Sequence, residues 1–68
     1  MRLMINGEPA EIGKTYTNFR GESMKLLSIT KPHKPSSTGR IYVEEADGSR
    51  HEFFPGVIDG VWEGRTDQ

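Results

Sequence analysis

Residues 31–40 (Lys-Pro-His-Lys-Pro-Ser-Ser-Thr-Gly-Arg) hold a dense group of side chains that can do chemistry, and we name this segment the basic loop. It carries three cations, one histidine and three hydroxyls, and it contains no acid. Its two prolines and its glycine exclude it from helices and sheet interiors, because proline lacks a backbone N–H and glycine weakens regular structure. The composition predicts a loop suited to an anion or an acidic partner.

Several side chains in and near this loop are candidates for binding. Arg40 can hold a phosphate or a carboxylate through two N–H groups at once. The hydroxyls and backbone N–H groups that precede it can form an anion-binding concavity, and the aromatic ring of Tyr42 can stack on a base. Arg20 is a possible rim cation in another loop. The candidate binding residues are Lys31, His33, Lys34, Ser36, Ser37, Thr38, Arg40, Tyr42 and Arg20. The alternative is a solvated connection whose cations keep the loop soluble and protect sheet edges.

Patterns for catalysis and metal binding are weak. Gly13-Lys14-Thr15 resembles the end of a phosphate-binding P-loop, but Glu8 stands where that motif requires its first glycine. His33 and His51 do not have the short spacing of paired metal ligands, and a site would need further ligands from scattered acids. No nucleophile elbow accompanies the hydroxyls of the basic loop. We therefore predict a protein that is not an enzyme and that uses no metal or cofactor.

The first element that frames the loop is a hairpin with Asn6-Gly7 at the centre of its turn, a pair that favours the positive φ angles of a tight turn. The expected pairs are Ile5–Glu8, Met4–Pro9, Leu3–Ala10 and Arg2–Glu11. In this register the proline lies in a non-hydrogen-bonded pair, where its missing N–H costs nothing. The outermost pair joins opposite charges.

A second hairpin is predicted to turn at Asp47-Gly48. Its expected pairs are Ala46–Ser49, Glu45–Arg50, Glu44–His51, Val43–Glu52, Tyr42–Phe53 and Ile41–Phe54. This register assigns Phe54 to the core together with Ile41 and Val43. The other face carries Tyr42, Phe53 and His51, and it is either an exposed surface or core from an opposite sheet.

Two further strands complete the expected fold. Residues 23–30 are apolar enough for a central strand, and residues 57–63 predict a last strand interrupted near Asp59-Gly60; residues 13–22 are expected to be an ordered connecting loop. We predict an all-β domain, a small five-stranded antiparallel SH3-like barrel over residues 1–63 with a frayed tail at 64–68. A five-stranded OB-type barrel is the alternative, although that fold usually needs more residues and a helix.

Composition narrows the class of protein. The net charge is −1, which argues against strong non-specific binding to nucleic acid, although residues 1–43 carry +4 and residues 44–68 carry −5. There is no cysteine, and no apolar run approaches the roughly 20 residues of a membrane span. We expect an intracellular protein that does not bind membranes. The sequence leaves the oligomeric state open.

Three segments carry a resemblance to a known group of proteins. They are residues 16–22 (Tyr-x-x-Phe-Arg-Gly-Glu), residues 34–43 with the Lys-Pro-Ser-Ser-Thr-Gly-Arg run, and residues 53–57 (Phe-Phe-Pro-x-Val). Together they resemble small SH3-like barrel proteins encoded by phages and prophages. The resemblance implies the cytoplasm of a bacterial host, where such domains often bind host factors. We therefore expect a binding module that engages a host macromolecule, with a protein as the leading candidate. The alternative is phosphate recognition, in nucleic acid or in a small nucleotide.

Overall fold

Two antiparallel sheets form the part of the chain that the computed structural model describes, residues 1–34 and 36–64. One sheet has the strand order β2-β1-β7 and the other β3-β4-β5-β6. The strands are β1 (Arg2–Ile5), β2 (Glu8–Pro9), β3 (Thr15–Thr17), β4 (Ser23–Thr30), β5 (Arg40–Glu45), β6 (Arg50–Phe53) and β7 (Gly60–Glu63). The all-β prediction is confirmed. The described residues form seven strands, whereas five were predicted. Their two sheets do not form the closed barrel that was predicted.

The first hairpin has the predicted register. Ile5 pairs with Glu8 and Met4 with Pro9, and Ala10 N–H donates to Leu3 O at 2.9 Å. Asn6 and Gly7 have φ angles of 54° and 79°, as a turn with two left-handed residues requires.

The prediction that Arg2 meets Glu11 is wrong. Arg2 Nε lies 2.8 Å from Glu63 Oε1 instead. The reason is that β2 ends at Pro9, whereas β7 pairs with β1 along its full length.

The second hairpin is shifted by one residue from the predicted register. Gly48 N–H donates to Glu45 O at 2.9 Å and Glu45 N–H donates to Ser49 O at 2.8 Å, so the loop has three residues. Gly48 has a φ of 89°, while Asp47 is not in the left-handed region. This is a type I turn followed by a glycine bulge, which adds one residue to the turn. The observed pairs are Ile41–Phe53, Tyr42–Glu52, Val43–His51 and Glu44–Arg50.

The shift exchanges the roles of two adjacent phenylalanines. Phe53 packs against the core, and Phe54, which was predicted to be buried, is 58% exposed. The charged pairs change in the same way: Arg50 bonds Glu44 and His51 bonds Glu45. The face predicted to hold Tyr42, Phe53 and His51 together does not exist. Phe53 and His51 are the cross-strand partners of Ile41 and Val43 and share their face of the sheet. Tyr42 pairs with Glu52 on the other face.

The buried core draws on both sheets and on a 3-10 helix, Pro55–Ile58. Central strand β4 has the predicted bounds, and its pairing with β5 shifts between Leu26 and Ser28, which marks a β-bulge. The predicted last strand begins only at Gly60, because residues 55–58 are helical and Asp59 ends the helix with a φ of 60°. The buried apolar side chains are Leu3, Ile5, Tyr16, Met24, Leu26, Ile41, Val43 and Ile58.

Two segments differ from their expected descriptions. Thr15–Thr17, assigned to a connecting loop, forms β3 and pairs with β4. The predicted frayed tail, apart from Gly64, lies outside the described residues. Within the described ranges, no helix has the length and apolar character needed to cross a membrane.

Candidate functional site

The last described strand contacts the backbone of the basic loop at Thr38 and Gly39. Trp62 Nε1 on β7 donates a hydrogen bond of 2.7 Å to Thr38 O. Gly39 is buried beside this contact with a φ of 70°. A Cβ atom there would lie 2.6 Å from Thr30 O and 2.8 Å from Trp62 Cζ2. Glycine is therefore required at this position by both its conformation and its surroundings.

Hydrogen bonds within the loop shape the segment before Gly39. Ser37 N–H donates to Lys34 O at 3.0 Å, and Gly39 N–H donates to Ser37 Oγ at 3.2 Å. The second bond uses a serine hydroxyl to complete a local turn, a common role of serine in loops. Ser37 is thus held on both sides by hydrogen bonds within the loop.

Arg40 is held by two contacts at the start of β5. Its Nη1 donates to Gly39 O at 2.8 Å, and its guanidinium carbon lies 4.3 Å from the centroid of the Phe54 ring. Arg40 precedes Ile41 and Phe54 follows Phe53, so the stacked pair continues the β5–β6 register. Stacking of a planar guanidinium on an aromatic ring restricts its orientation. Arg40 is thus positioned before any ligand arrives.

The loop, Arg40 and Phe54 line an open depression of about 430 Å³. Six of the nine predicted binding residues line it, and Phe54 is the aromatic wall. The lining residues are His33, Lys34, Ser36, Ser37, Thr38, Arg40 and Phe54.

The other three predicted residues lie elsewhere. Lys31 is exposed on the approach to the loop and does not line the depression. Tyr42 is 40% exposed and lies two residues after Arg40, on the same face of β5. Arg20 belongs to a separate groove, where its guanidinium lies 5.5 Å from the ring of Phe19.

The guanidinium of Arg40 has no carboxylate partner among the described residues. Over residues 1–34 and 36–64, the ion pairs join Arg2 with Glu63, Lys14 with Glu11, Arg50 with Glu44 and His51 with Glu45. In that part of the chain no carboxylate pairs with Arg40 or Lys31. The described residues also contain no group of three His, Cys, Asp or Glu side chains that could hold a metal ion. What the arrangement offers is a site for an anionic group beside an aromatic ring.

Sequence reasoning missed two residues of this site. Phe54 was assigned to the core by the one-residue error in the hairpin. Trp62 is 24 residues from the carbonyl that it bonds, and no local pattern links the two. The one available signal was chemical, because a tryptophan N–H in a folded domain usually finds an acceptor.

Comparison with known proteins adds no assignment: no family model, no curated protein and no solved structure matches this chain.

Proposed function

We propose that this protein is a non-enzymatic binding module that engages a macromolecule through the basic loop. The leading candidate for that partner is an acidic protein surface. The observation that carries the proposal is the stack of Arg40 on Phe54 at 4.3 Å, at a depression lined by further cations and hydroxyls. Arginine and aromatic residues are both enriched at protein interfaces, and arginine is enriched among the residues that dominate their binding energy.

The Arg40 side chain is already held in one orientation, which supports a role for it in binding. A long side chain loses rotamer freedom when it binds, which costs about 0.5–1.5 kcal/mol. The bond to Gly39 O and the Phe54 ring already restrict this side chain, so less of that cost remains. With no carboxylate partner among the described residues, Arg40 gains an ion pair on binding rather than exchanging one.

A protein partner is favoured over a long polyanion by the charge of the whole chain. The net charge is −1, so steering of nucleic acid over long distances is weak. Aromatic Phe54 and Tyr42 add apolar contact that a protein surface can cover. We assign the partner to the host of a phage or prophage, following the resemblance of the loop motif, and the site of action to the bacterial cytoplasm.

Phosphate recognition is the second candidate, and the hydroxyls favour it. Ser36, Ser37 and Thr38 line the same depression as Arg40, and hydroxyl groups together with an arginine suit a phosphate. A nucleic-acid ligand predicts an affinity that falls steeply with salt, because several counterions are released. A small nucleotide predicts a weak salt dependence and a raised melting temperature.

We also retain the SH3-like barrel as the proposed family of the fold. Two features support it, although the two described sheets are not joined into a closed barrel: β1 pairs with β7, and the pairing of the long strand β4 with β5 contains a bulge. Bulges of this kind allow a small sheet to curl on itself.

The test is a capture experiment from a nuclease-treated bacterial lysate with three immobilised proteins. They are the wild type, the variant Lys34→Ala/Arg40→Ala, and the control Lys14→Ala/Lys25→Ala, which removes the same charge outside the loop. We expect a protein retained by the wild type and the control and lost from the loop variant, with all three folded by circular dichroism. Equal retention by all three would contradict the proposal. A melting temperature raised by millimolar nucleotide in the wild type alone would favour the second candidate.

A further inference from the structure

In a second loop, separate from the basic loop, a phenylalanine is exposed to solvent and the asparagine before it is buried. Phe19 is 79% exposed, while the adjacent Asn18 is only 8% exposed. This reverses the usual preference of the two residue types. Lone exposed apolar residues are common, so the surroundings of Phe19 decide whether the reversal matters.

The loop that carries Phe19 is held rigidly by hydrogen bonds to Asn18. The Asn18 side-chain oxygen Oδ1 accepts from the backbone N–H groups of Arg20 and Glu22, each at 2.9 Å. Its Nδ2 donates to Glu22 Oε1 at 2.9 Å. The backbone adds Asn18 N–H to Glu22 O at 3.0 Å and Gly21 N–H to Asn18 O at 2.9 Å. The exposed ring is thus presented on a fixed support, which lowers the entropic cost of using it in an interface.

A groove of about 410 Å³ lies beside the exposed ring. Its apolar lining comes from Met24, Phe53 and Val57. Its charged lining has both signs, with Arg20 and Glu22 on one loop and Glu45 at the end of β5. The patch therefore combines a protruding ring with an apolar recess, and one cation with two carboxylates.

We propose that this patch binds a second copy of the same chain, in a two-fold symmetric dimer. In such an interface the same patch meets itself, so each contact occurs twice and the patch must be complementary to itself. Phe19 of each chain enters the groove of the other, where Phe53 and Val57 contact it. Arg20 pairs with Glu45 of the partner subunit.

Charge complementarity selects a second copy over other occupants. Arg20 has no carboxylate partner among the described residues and lies over the Phe19 ring at 5.5 Å. Glu45 bonds His51 through Oε2, which leaves its other oxygen for a partner. An unrelated apolar peptide would satisfy the groove but would leave the protruding ring uncovered. A domain of this size also gains from dimerisation, because its own core is small.

The test is sedimentation equilibrium of the full chain from micromolar to millimolar concentration, with charge-reversed variants. Wild type should approach twice its mass of 7.7 kDa as concentration rises. Arg20→Glu and Glu45→Arg should each weaken self-association about tenfold or more, because each homodimer then contains two like-charge contacts. Mixed in equal amounts, the two variants should associate again, because both contacts of the mixed dimer then join opposite charges.

Two further variants separate the interface from general effects. Phe19→Ala should weaken the dimer about thirtyfold, the scale of a central aromatic contact, without lowering the melting temperature measured at dilutions where the wild type is monomeric. Lys14→Glu reverses an exposed charge outside the groove and should leave self-association unchanged. A monomeric mass throughout the concentration range would overturn the proposal. So would a dimer that Arg20→Glu and Phe19→Ala leave intact, or a mixture of folded charge variants that fails to associate.

Discussion

Gly39→Ala is expected to destabilise the domain much more than the same change at Gly48. Both glycines are left-handed, with φ angles of 70° and 89°. An L-residue in that conformation costs about 1–2 kcal/mol, and this cost is common to both variants. Around Gly48 a new Cβ meets nothing within 4 Å, so its variant measures the backbone cost alone.

At Gly39 a second cost is added to the first. The new Cβ would lie 2.6 Å from the backbone oxygen of Thr30 and 2.8 Å from Trp62 Cζ2, and both neighbours are held in strands. Overpacking of this kind typically costs about 1–3 kcal/mol. We therefore expect Gly39→Ala to lower the free energy of unfolding by about 2–5 kcal/mol in total.

The assay is urea unfolding followed by tryptophan fluorescence and circular dichroism. At about 4–8 °C per kcal/mol, the two variants should also differ in melting temperature by several degrees or more. If Gly39→Ala is largely unfolded, sucrose in the buffer should recover a measurable transition, because excluded osmolytes favour the compact state. Equal stabilities for Gly39→Ala and Gly48→Ala would refute the tight packing of the basic loop against Thr30 and Trp62.

Three further predictions concern single contacts. Trp62→Phe removes the hydrogen bond to Thr38 O and should lower the free energy of unfolding by about 0.5–1.5 kcal/mol, with faster amide exchange in the basic loop; unchanged exchange would contradict the role of this bond. The hydrogen bond from the Ser49 hydroxyl lowers the pKa of Asp47, so the wild type should be more stable than Asp47→Asn at neutral pH. That advantage should vanish as pH falls through the lowered pKa, and a gap that does not change with pH would contradict it. Leu26→Ala empties a fully buried site and should cost about 2–5 kcal/mol in chemical unfolding; a loss below about 1 kcal/mol would contradict its central place.

The first hairpin shows what local sequence is able to predict. Asn6 and Gly7 both take positive φ angles, and few residue pairs do so readily, so one dipeptide sets the turn and the register. The bounds of β4 were predictable for a similar reason, since residues 23–30 are apolar and strand-forming.

The second hairpin shows where the same reasoning fails. An aspartate tolerates both right-handed and left-handed backbone, so Asp47-Gly48 fits a two-residue turn and a three-residue turn with a bulge equally well. Because side chains alternate along a strand, one residue of error moved Phe54 from the surface to the core in the prediction. For that reason the sequence analysis did not identify Phe54 as the aromatic wall of the depression beside Arg40.

The depression beside Arg40 was half predictable. Its cations and hydroxyls are consecutive in sequence, so His33 to Arg40 could be grouped without a structure. Arg20 was grouped with them by chemistry alone, and the fold places it beside a different groove. Long-range contacts such as Trp62 with Thr38 depend on the packing of the two sheets, and no spacing rule encodes them.

The pairing of β1 with β7 has a consequence for the order of folding. The sheet β3-β4-β5-β6 is built from neighbours in sequence, whereas Arg2 and Glu63 must meet across almost the whole described chain. Closing a long loop is slow and entropically costly, so we expect the four-stranded sheet to form first and β7 to dock late. Trp62 arrives with β7, and with it the bond that fixes Thr38. A nascent chain that has emerged from the ribosome only as far as β6 would thus carry every cation of the basic loop while lacking the contact that gives the loop its shape.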